Sequence, residues 1–292
     1  MSVFAGFEHV VRENEPLAGY TWLQTGGSAQ YFAEPTSAEE LSGLVQRCRE
    51  NDLPVHILGG GSNLLVRDQG VEALILQLSA GIFAEITVNQ QSIQAGAGAK
   101  LGHVISTSVR HGLAGLEQLV GIPGSLGGAL AGNAGTLGGD VGQWTHAVTV
   151  MDRSGDLVTY NRNDLRFSYR QSSLDDPVIL QATFELEDGN PEDLTKRLQT
   201  LWIVKNANQP KGNVGTACAF KDPHAGPAAS LIEQSGLKGT VVGKAMISEE
   251  NSNFIVVEPN ASSDDVLQLL ETVRAEVLKS FGVELEPSLE IW

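Results

Sequence analysis

Apolar and polar positions alternate along this chain with two periods, and the switches between them mark its elements. From Ser37 onward Leu41, Leu44 and Val45 recur at helical spacing, with Ser37 as cap and Glu40 three residues later, which predicts a helix over 37–52. Pro54-Val55-His56-Ile57-Leu58 reads as a short strand opening directly into Gly59-Gly60-Gly61-Ser62-Asn63. A turn at Asp68-Gln69-Gly70 and a strand over 73–78 complete a compact α/β unit. Between Ile82 and Leu186 short strands at 86–88, 92–95, 148–152 and 178–186 alternate with glycine turns, and a helix covers 100–111. Residues 191–206, begun by Pro191 and Glu192, are predicted as an amphipathic helix, with further helices over 227–235 and 262–281. At the end, Val283, Leu285, Pro287, Leu289 and Ile291 alternate with Glu284, Glu286, Ser288, Glu290 and Trp292, the pattern of a half-buried strand. Glu286 and Glu290 then flank Ser288 on its own face, each about 6–7 Å away along the strand. The expected class is α+β, with subdomains at 15–80, 81–205 and 206–292.

Composition narrows the chemistry. Against 35 acidic residues stand 19 basic ones, a net charge of −16, which leaves no basic footprint for nucleic acid. Residues 1–11 carry no basic-then-apolar run, and no apolar stretch approaches the ~18 residues of a spanning helix, so a cytoplasmic protein is expected and no membrane association. Cys48 and Cys218 stand too far apart for metal-ligand spacing and read as reduced thiols, Cys48 as a core residue. His103 and His111 have no third ligand nearby, so no metal is expected.

Three glycine-rich segments remain: Gly59-Gly60-Gly61-Ser62-Asn63, Gly121-Ile122-Pro123-Gly124-Ser125-Leu126-Gly127-Gly128 and Gly132-Asn133-Ala134-Gly135. Glycine lets the backbone take positive φ and approach a ligand closely, so successive amides can converge on phosphate oxygens. Any one of these loops alone is most simply a tight turn. Three within about 80 residues, none spelling G-x-G-x-x-G, point instead to an extended nucleotide cofactor held outside a Rossmann fold.

These segments resemble the FAD loops of the UDP-N-acetylenolpyruvoylglucosamine reductase (MurB) family. The resemblance continues through Thr25-Gly26-Gly27-Ser28-Ala29, Phe167-Ser168-Tyr169-Arg170-Gln171-Ser172, Gln209-Pro210, Phe220-Lys221-Asp222-Pro223 and 231–239. It ends with Asn253-Phe254-Ile255-Val256 and 281–287, in family order. It implies the two-subdomain FAD-binding fold of the MurB and vanillyl-alcohol-oxidase type with a C-terminal α+β substrate domain. The length matches the shorter members, without the extra substrate-binding insertion. By the same resemblance FAD is bound through Gly59, Gly60, Gly61, Ser62, Asn63, Gly121, Ile122, Pro123, Gly124, Ser125, Gly127, Gly128, Asn133 and Gly135. The link is expected to be noncovalent, because the first loop offers no His or Cys. NADPH is the implied hydride donor, and the implied reaction converts UDP-N-acetylglucosamine enolpyruvate to UDP-N-acetylmuramate for peptidoglycan synthesis, in a monomer.

The chemistry assigns roles. Hydride added to an enolpyruvyl ether leaves charge that a fixed guanidinium stabilises, and a positioned acid must protonate the other carbon. The resemblance gives the first role to Arg170 and substrate contacts to Tyr169, Lys221, Asp222 and Asn253. The chain departs from the family pattern at three positions. Cys218 stands in the slot of the proton-donating serine, where a thiol is the stronger acid. Asp222 replaces an asparagine. Ser288 occupies the slot of the catalytic glutamate, leaving Glu290, Glu286 or no carboxylate in that role, with Glu290 the favoured choice. The competing readings are an FAD-dependent oxidase of a small alcohol or sugar, and a non-catalytic flavin- or UDP-sugar-binding protein.

Overall fold

The computed structural model describes residues 3–136, 138–210 and 215–292. Their contacts gather into two compact units, one of residues 1–13, 31–60 and 72–204, the other of 14–30, 61–71 and 205–292. The chain passes between the units several times, a layout different from the contiguous stretches 15–80, 81–205 and 206–292 expected from sequence. The reason is visible in the second core, where Leu23 and Leu65, exposed to 1% and 0%, pack among residues from 217 onward.

In the first unit, the helix Ala38–Glu50 begins where expected: the Ser37 hydroxyl accepts from the Glu40 N–H at 3.2 Å, a cap worth about 1 kcal/mol. Glu40 does not close the box on Ser37; its carboxylate reaches one residue further back, to the N–H and hydroxyl of Thr36 at 2.7 and 2.9 Å. Leu41, Leu44, Val45 and Cys48 form its buried stripe. Strand Val55–Ile57 pairs in parallel with Val71–Leu76, Val55 opposite Leu74, within a sheet that also includes Ser28–Ala33 and Val11–Pro16. A second sheet is antiparallel, in the order Leu157–Asn161, Thr145–Met151, Val178–Glu185, Ser92–Gly96, Ile86–Asn89. Helices Leu101–Arg110 and Leu126–Ala131 bury Leu101, Val104, Leu126 and Leu130 in the same core as these strands.

Helix Pro191–Asn206 forms with the expected start, but its amphipathic packing is confined to the first half. Leu194 is its one buried residue, while Trp202, Ile203 and Val204 are 50%, 62% and 58% exposed.

The second unit carries an antiparallel sheet in the order Thr216–Cys218, Phe254–Val257, Ala245–Ile247, Val241–Val242. Helices Ala228–Gln234 and Ser263–Phe281 share its core. The longer helix starts at a complete capping box between Ser262 and Asp265 and stops at Gly282, whose φ of 68° is left-handed. The expected strand over 283–292 is interrupted. Pro287 makes an isolated bridge to Phe220, whereas Glu290–Ile291 pairs in parallel with Leu64–Leu65. Two different partners only three residues apart, at Pro287 and Glu290, force a bend at Ser288 and Leu289, and Pro287 has no N–H to continue a ladder. The alternation of burial survives, with Leu285 and Leu289 at 0% and 6% exposure.

Candidate functional site

The glycine loops of the first unit are held at backbone distance. An added Cβ at Gly60 would lie 2.7 Å from the Cα of Gly124, and one at Gly59 would lie 2.5 Å from Oγ of Ser125. Ser125 itself caps the helix Leu126–Ala131, its Oγ accepting from the Gly128 N–H at 3.3 Å. The Leu126 and Gly127 amides donate to the carbonyls of Ala99 and Ala97, both at 2.8 Å, so the second loop is tied to the residues leading into Leu101–Arg110. Gly121 and Gly124 take φ of 76° and 103°, where a side chain is strained. Ile122 packs against the core beside this loop.

Residues 59–63 have a further property. Among the described residues, none of their five amides donates a hydrogen bond to a protein acceptor, which leaves a run of open N–H groups. Such a run is a ready acceptor of phosphate oxygens in a chain with little cationic charge to offer. Gly61, at φ 62°, admits no Cβ, which would lie 2.0 Å from the Tyr20 carbonyl oxygen. The Asn63 side chain is already engaged: its Nδ2 donates to the Ser288 carbonyl at 2.7 Å.

The third glycine segment is built around Asn133. This residue is 2% exposed and left-handed at φ 41°. Its carboxamide accepts from the Gly142 N–H at 3.1 Å and donates to the Ser168 carbonyl at 2.7 Å. Ser168 belongs to a hairpin, Phe167–Ser168 paired with Gln171–Ser172, whose two-residue loop is Tyr169-Arg170. Arg170 takes φ 57°, its Nη1 donates to the Gly135 carbonyl at 3.0 Å, and its guanidinium lies 5.4 Å from the Tyr169 ring centre. Ser172 Oγ fastens the hairpin to the Ala131 carbonyl at 2.9 Å. Two motifs read separately from sequence, Gly132-Asn133-Ala134-Gly135 and the segment with Tyr169-Arg170, are thus one cluster.

The remaining candidates lie in the second unit. Cys218 ends the strand Thr216–Cys218, partly exposed and paired with Phe254. Its Sγ stands 3.7 Å from the Phe220 carbonyl oxygen, and Asn253 Nδ2 donates to it across 3.7 Å. Asn253 is 8% exposed, and its carboxamide brackets Phe220, donating to that carbonyl at 2.8 Å and accepting from that N–H at 3.0 Å. Asp222 accepts from the Ala228 N–H at 2.8 Å at the start of Ala228–Gln234. Lys221, with 20% of its side chain exposed, is ion-paired with the 67%-exposed Glu286, and its N–H donates to the Glu286 carbonyl at 2.9 Å. Ser288 donates its N–H to the Ala219 carbonyl at 2.8 Å, directly beside Cys218. Glu290 is exposed, with its carboxylate accepting from the Trp292 indole at 2.9 Å.

Two contributors escaped the sequence reading. One is the Lys221–Glu286 pair, joined by side chains 65 positions apart, which no local pattern announces. The other is Glu117, fully buried just ahead of the Gly121 loop, which accepts from the Gly115 N–H at 2.6 Å and faces Arg197 at 3.1 Å. Its signal was available: a carboxylate between Leu116 and Leu119 in an apolar stretch. Among the described residues no cluster of three His, Cys, Asp or Glu is arranged for a metal ion, and no helix is long and apolar enough to cross a membrane.

Comparison with known proteins adds a separate line. Residues 209–292 match the profile described as "UDP-N-acetylenolpyruvoylglucosamine reductase, C-terminal domain", and residues 29–161 that of an FAD binding domain. A UDP-N-acetylenolpyruvoylglucosamine reductase of Rhodopirellula baltica is 39% identical over 97% of this chain and 93% of its own length. One from Listeria innocua is 37% identical over 98% and 97%. The crystal structure of MurB from Thermus caldophilus superimposes with a TM-score of 0.82 at 35% identity, covering 97% of this chain and 99% of that one.

Proposed function

The chain belongs to the UDP-N-acetylenolpyruvoylglucosamine reductase family, and from that membership we propose how its own residues divide the work. It is an FAD-dependent oxidoreductase that reduces UDP-N-acetylglucosamine enolpyruvate to UDP-N-acetylmuramate at the expense of NADPH, a step in peptidoglycan precursor synthesis. FAD, when bound, supplies the hydride that it has taken from NADPH.

The observation that carries the flavin assignment is the pair of loops with no room for a Cβ, together with the open amides of residues 59–63. These groups fit an anionic dinucleotide. The residues that would hold it are Gly59 to Asn63, the Gly121-Ile122-Pro123-Gly124-Ser125 loop with Gly127 and Gly128, and Asn133 with Gly135. With Ser62 and Asn63 in the first loop there is no His or Cys for a covalent flavin link, which separates this chain from a covalent oxidase.

Arg170 is assigned to the carboxylate end of the enolpyruvyl group, where its permanent charge stabilises the developing enolate. Its fixed hairpin supports that role, because a guanidinium already anchored loses little freedom on binding. Cys218 is assigned as proton donor: its S–H bond breaks, a C–H bond forms, and the electron pair stays on sulfur as thiolate. Tyr169 and Lys221 contact the substrate, Lys221 through the ammonium now shared with Glu286. Asp222 and Asn253 belong to the same surface, Asp222 at a helix start and Asn253 beneath Cys218. Glu290 is retained as the replacement for the family glutamate, and Glu286 is its rival, held beside Lys221. We keep the division into FAD subdomains 15–80 and 81–205 and a substrate domain 206–292 as a proposal; the matches over 29–161 and 209–292 support only the separation of an FAD-binding part from a C-terminal part. A monomer in the cytoplasm completes the reading.

The test is NADPH consumption by the purified yellow protein, with and without the enolpyruvyl substrate. Consumption that depends on that substrate, with one saturated product per NADPH, is expected. Oxygen-driven turnover of an alcohol or sugar would favour an oxidase, and a colourless protein that fails to take up FAD would overturn the flavin site.

A further inference from the structure

Cys218 lies within a three-residue segment that one side chain fixes from below. Asn253 accepts from the Phe220 N–H, donates to the Phe220 carbonyl and donates to Sγ of Cys218, while its own carbonyl accepts from the Ala219 N–H at 2.9 Å. A buried carboxamide that uses both ends on one neighbouring stretch is held in a single orientation, since rotating it by half a turn would face donor to donor and acceptor to acceptor. The N–H that reaches sulfur is therefore fixed there by the two Phe220 bonds.

Resting on the assignment of Cys218 as proton donor, we infer that Asn253 is a positioning residue for that step rather than a contact for the substrate. In the resting thiol the S–H points toward the Phe220 carbonyl, and the Asn253 N–H meets a sulfur lone pair. When the proton leaves, sulfur becomes an anion and the same N–H becomes a hydrogen bond to a charged acceptor, which is the stronger kind. The interaction thus strengthens along the reaction, the condition for lowering a barrier rather than only binding. The charged side chains on the joined segments, Lys221 and Glu286, form their own ion pair and are left in place by the substitutions below.

The experiment uses the flavin-loaded enzyme with Asn253→Asp, which keeps the acceptor for the Phe220 N–H and replaces the donor by an anion. Iodoacetamide alkylation at neutral pH reads the thiolate directly, because sulfur attacks carbon and iodide leaves. Cys48 stays silent, since it is 1% exposed and burial pushes its thiol up to about 12. Alkylation of Cys218 is expected to slow about tenfold, and flavin reoxidation by the enolpyruvyl substrate to slow about as much, with flavin reduction by NADPH unchanged. In a Cys218→Ala background the same Asn253→Asp change should add little to the reoxidation rate, as for residues acting through one group. Should Asn253→Asp fail to fold, Asn253→Ser, which also lacks the amide donor, is read the same way. Unchanged alkylation in a folded variant overturns the inference. A Cys218→Ala enzyme reoxidised at the parental rate overturns instead the proton-donor role on which the inference stands.

Discussion

At Gly60 a single methyl group would land 2.7 Å from the Cα of Gly124, whereas at Cys218 the sulfur stands 3.7 Å from both the Phe220 carbonyl oxygen and Asn253 Nδ2. The first region is shaped by backbone against backbone. Its contacts leave no slack, and the residue type follows from geometry. The second is shaped by side chains reaching across elements: Asn253 to Phe220, Lys221 to Glu286, Asn63 to Ser288. There a group can be exchanged for another of similar size while its neighbours hold position. The three residues that differ from the pattern expected by resemblance, Cys218, Asp222 and Ser288, all fall in this second region. On the proposed assignment, cofactor binding falls to the region built from backbone contacts, and proton delivery to the region built from side-chain contacts.

The sharpest way to break that contrast is Gly60→Ala. Overpacking against backbone costs up to about 3 kcal/mol, so flavin affinity should fall about 100-fold, read as lost absorbance near the flavin bands at fixed protein concentration. Full retention of flavin would show that the loop has slack after all. Cys218→Ala comes next, in the second region: reoxidation by substrate should slow about 10²-fold in rapid mixing, with Cys218→Ser restoring much of it. Glu290→Gln should lower the same rate about tenfold, the effect of displacing one charge partner, with Glu286→Gln weaker. If the order reverses, the carboxylate belongs to Glu286 beside Lys221. The smallest effect is on acid stability. The Thr36 N–H, then His9 and the Thr36 hydroxyl, hold the Glu40 carboxyl down to about 2 from 4.5. Because the folded value lies below the unfolded one, its stabilisation is present above about pH 4.5 and is lost as pH falls toward about 2. Melting curves of the parent and of Glu40→Gln should therefore converge across that interval. A constant gap would remove this group from the acid limb.

What was legible in the sequence follows the same division. Ser37, Ser262 and Gly282 announce helix ends because capping is a local transaction between residues three or four apart. The glycine loops were legible because a missing Cβ is itself the signal. Cys218 was found only through its place in a motif, and nothing local tells that Asn253 holds it. Helix Pro191–Asn206 kept the promised start and withheld the promised burial: sequence shows that Trp202, Ile203 and Val204 are apolar, not whether anything lies against them. The final alternating segment misled in form, because its pattern is set by which side chains are buried, and burial continues through a bend that changes strand partners.

The Asn63–Ser288 hydrogen bond joins residues 225 positions apart, and the parallel pair beside it closes the same span. As a ribosome product, the second unit cannot finish folding early. Residues 14–30 and 61–71 leave the exit tunnel long before their partners, so Leu23 and Leu65 wait with apolar surface uncovered while the first unit is still being made. Closing so long a loop is slow, and the waiting segments are open to wrong pairings meanwhile. Substitutions in the parallel pair should therefore show first in soluble yield during synthesis, well before they alter the finished enzyme.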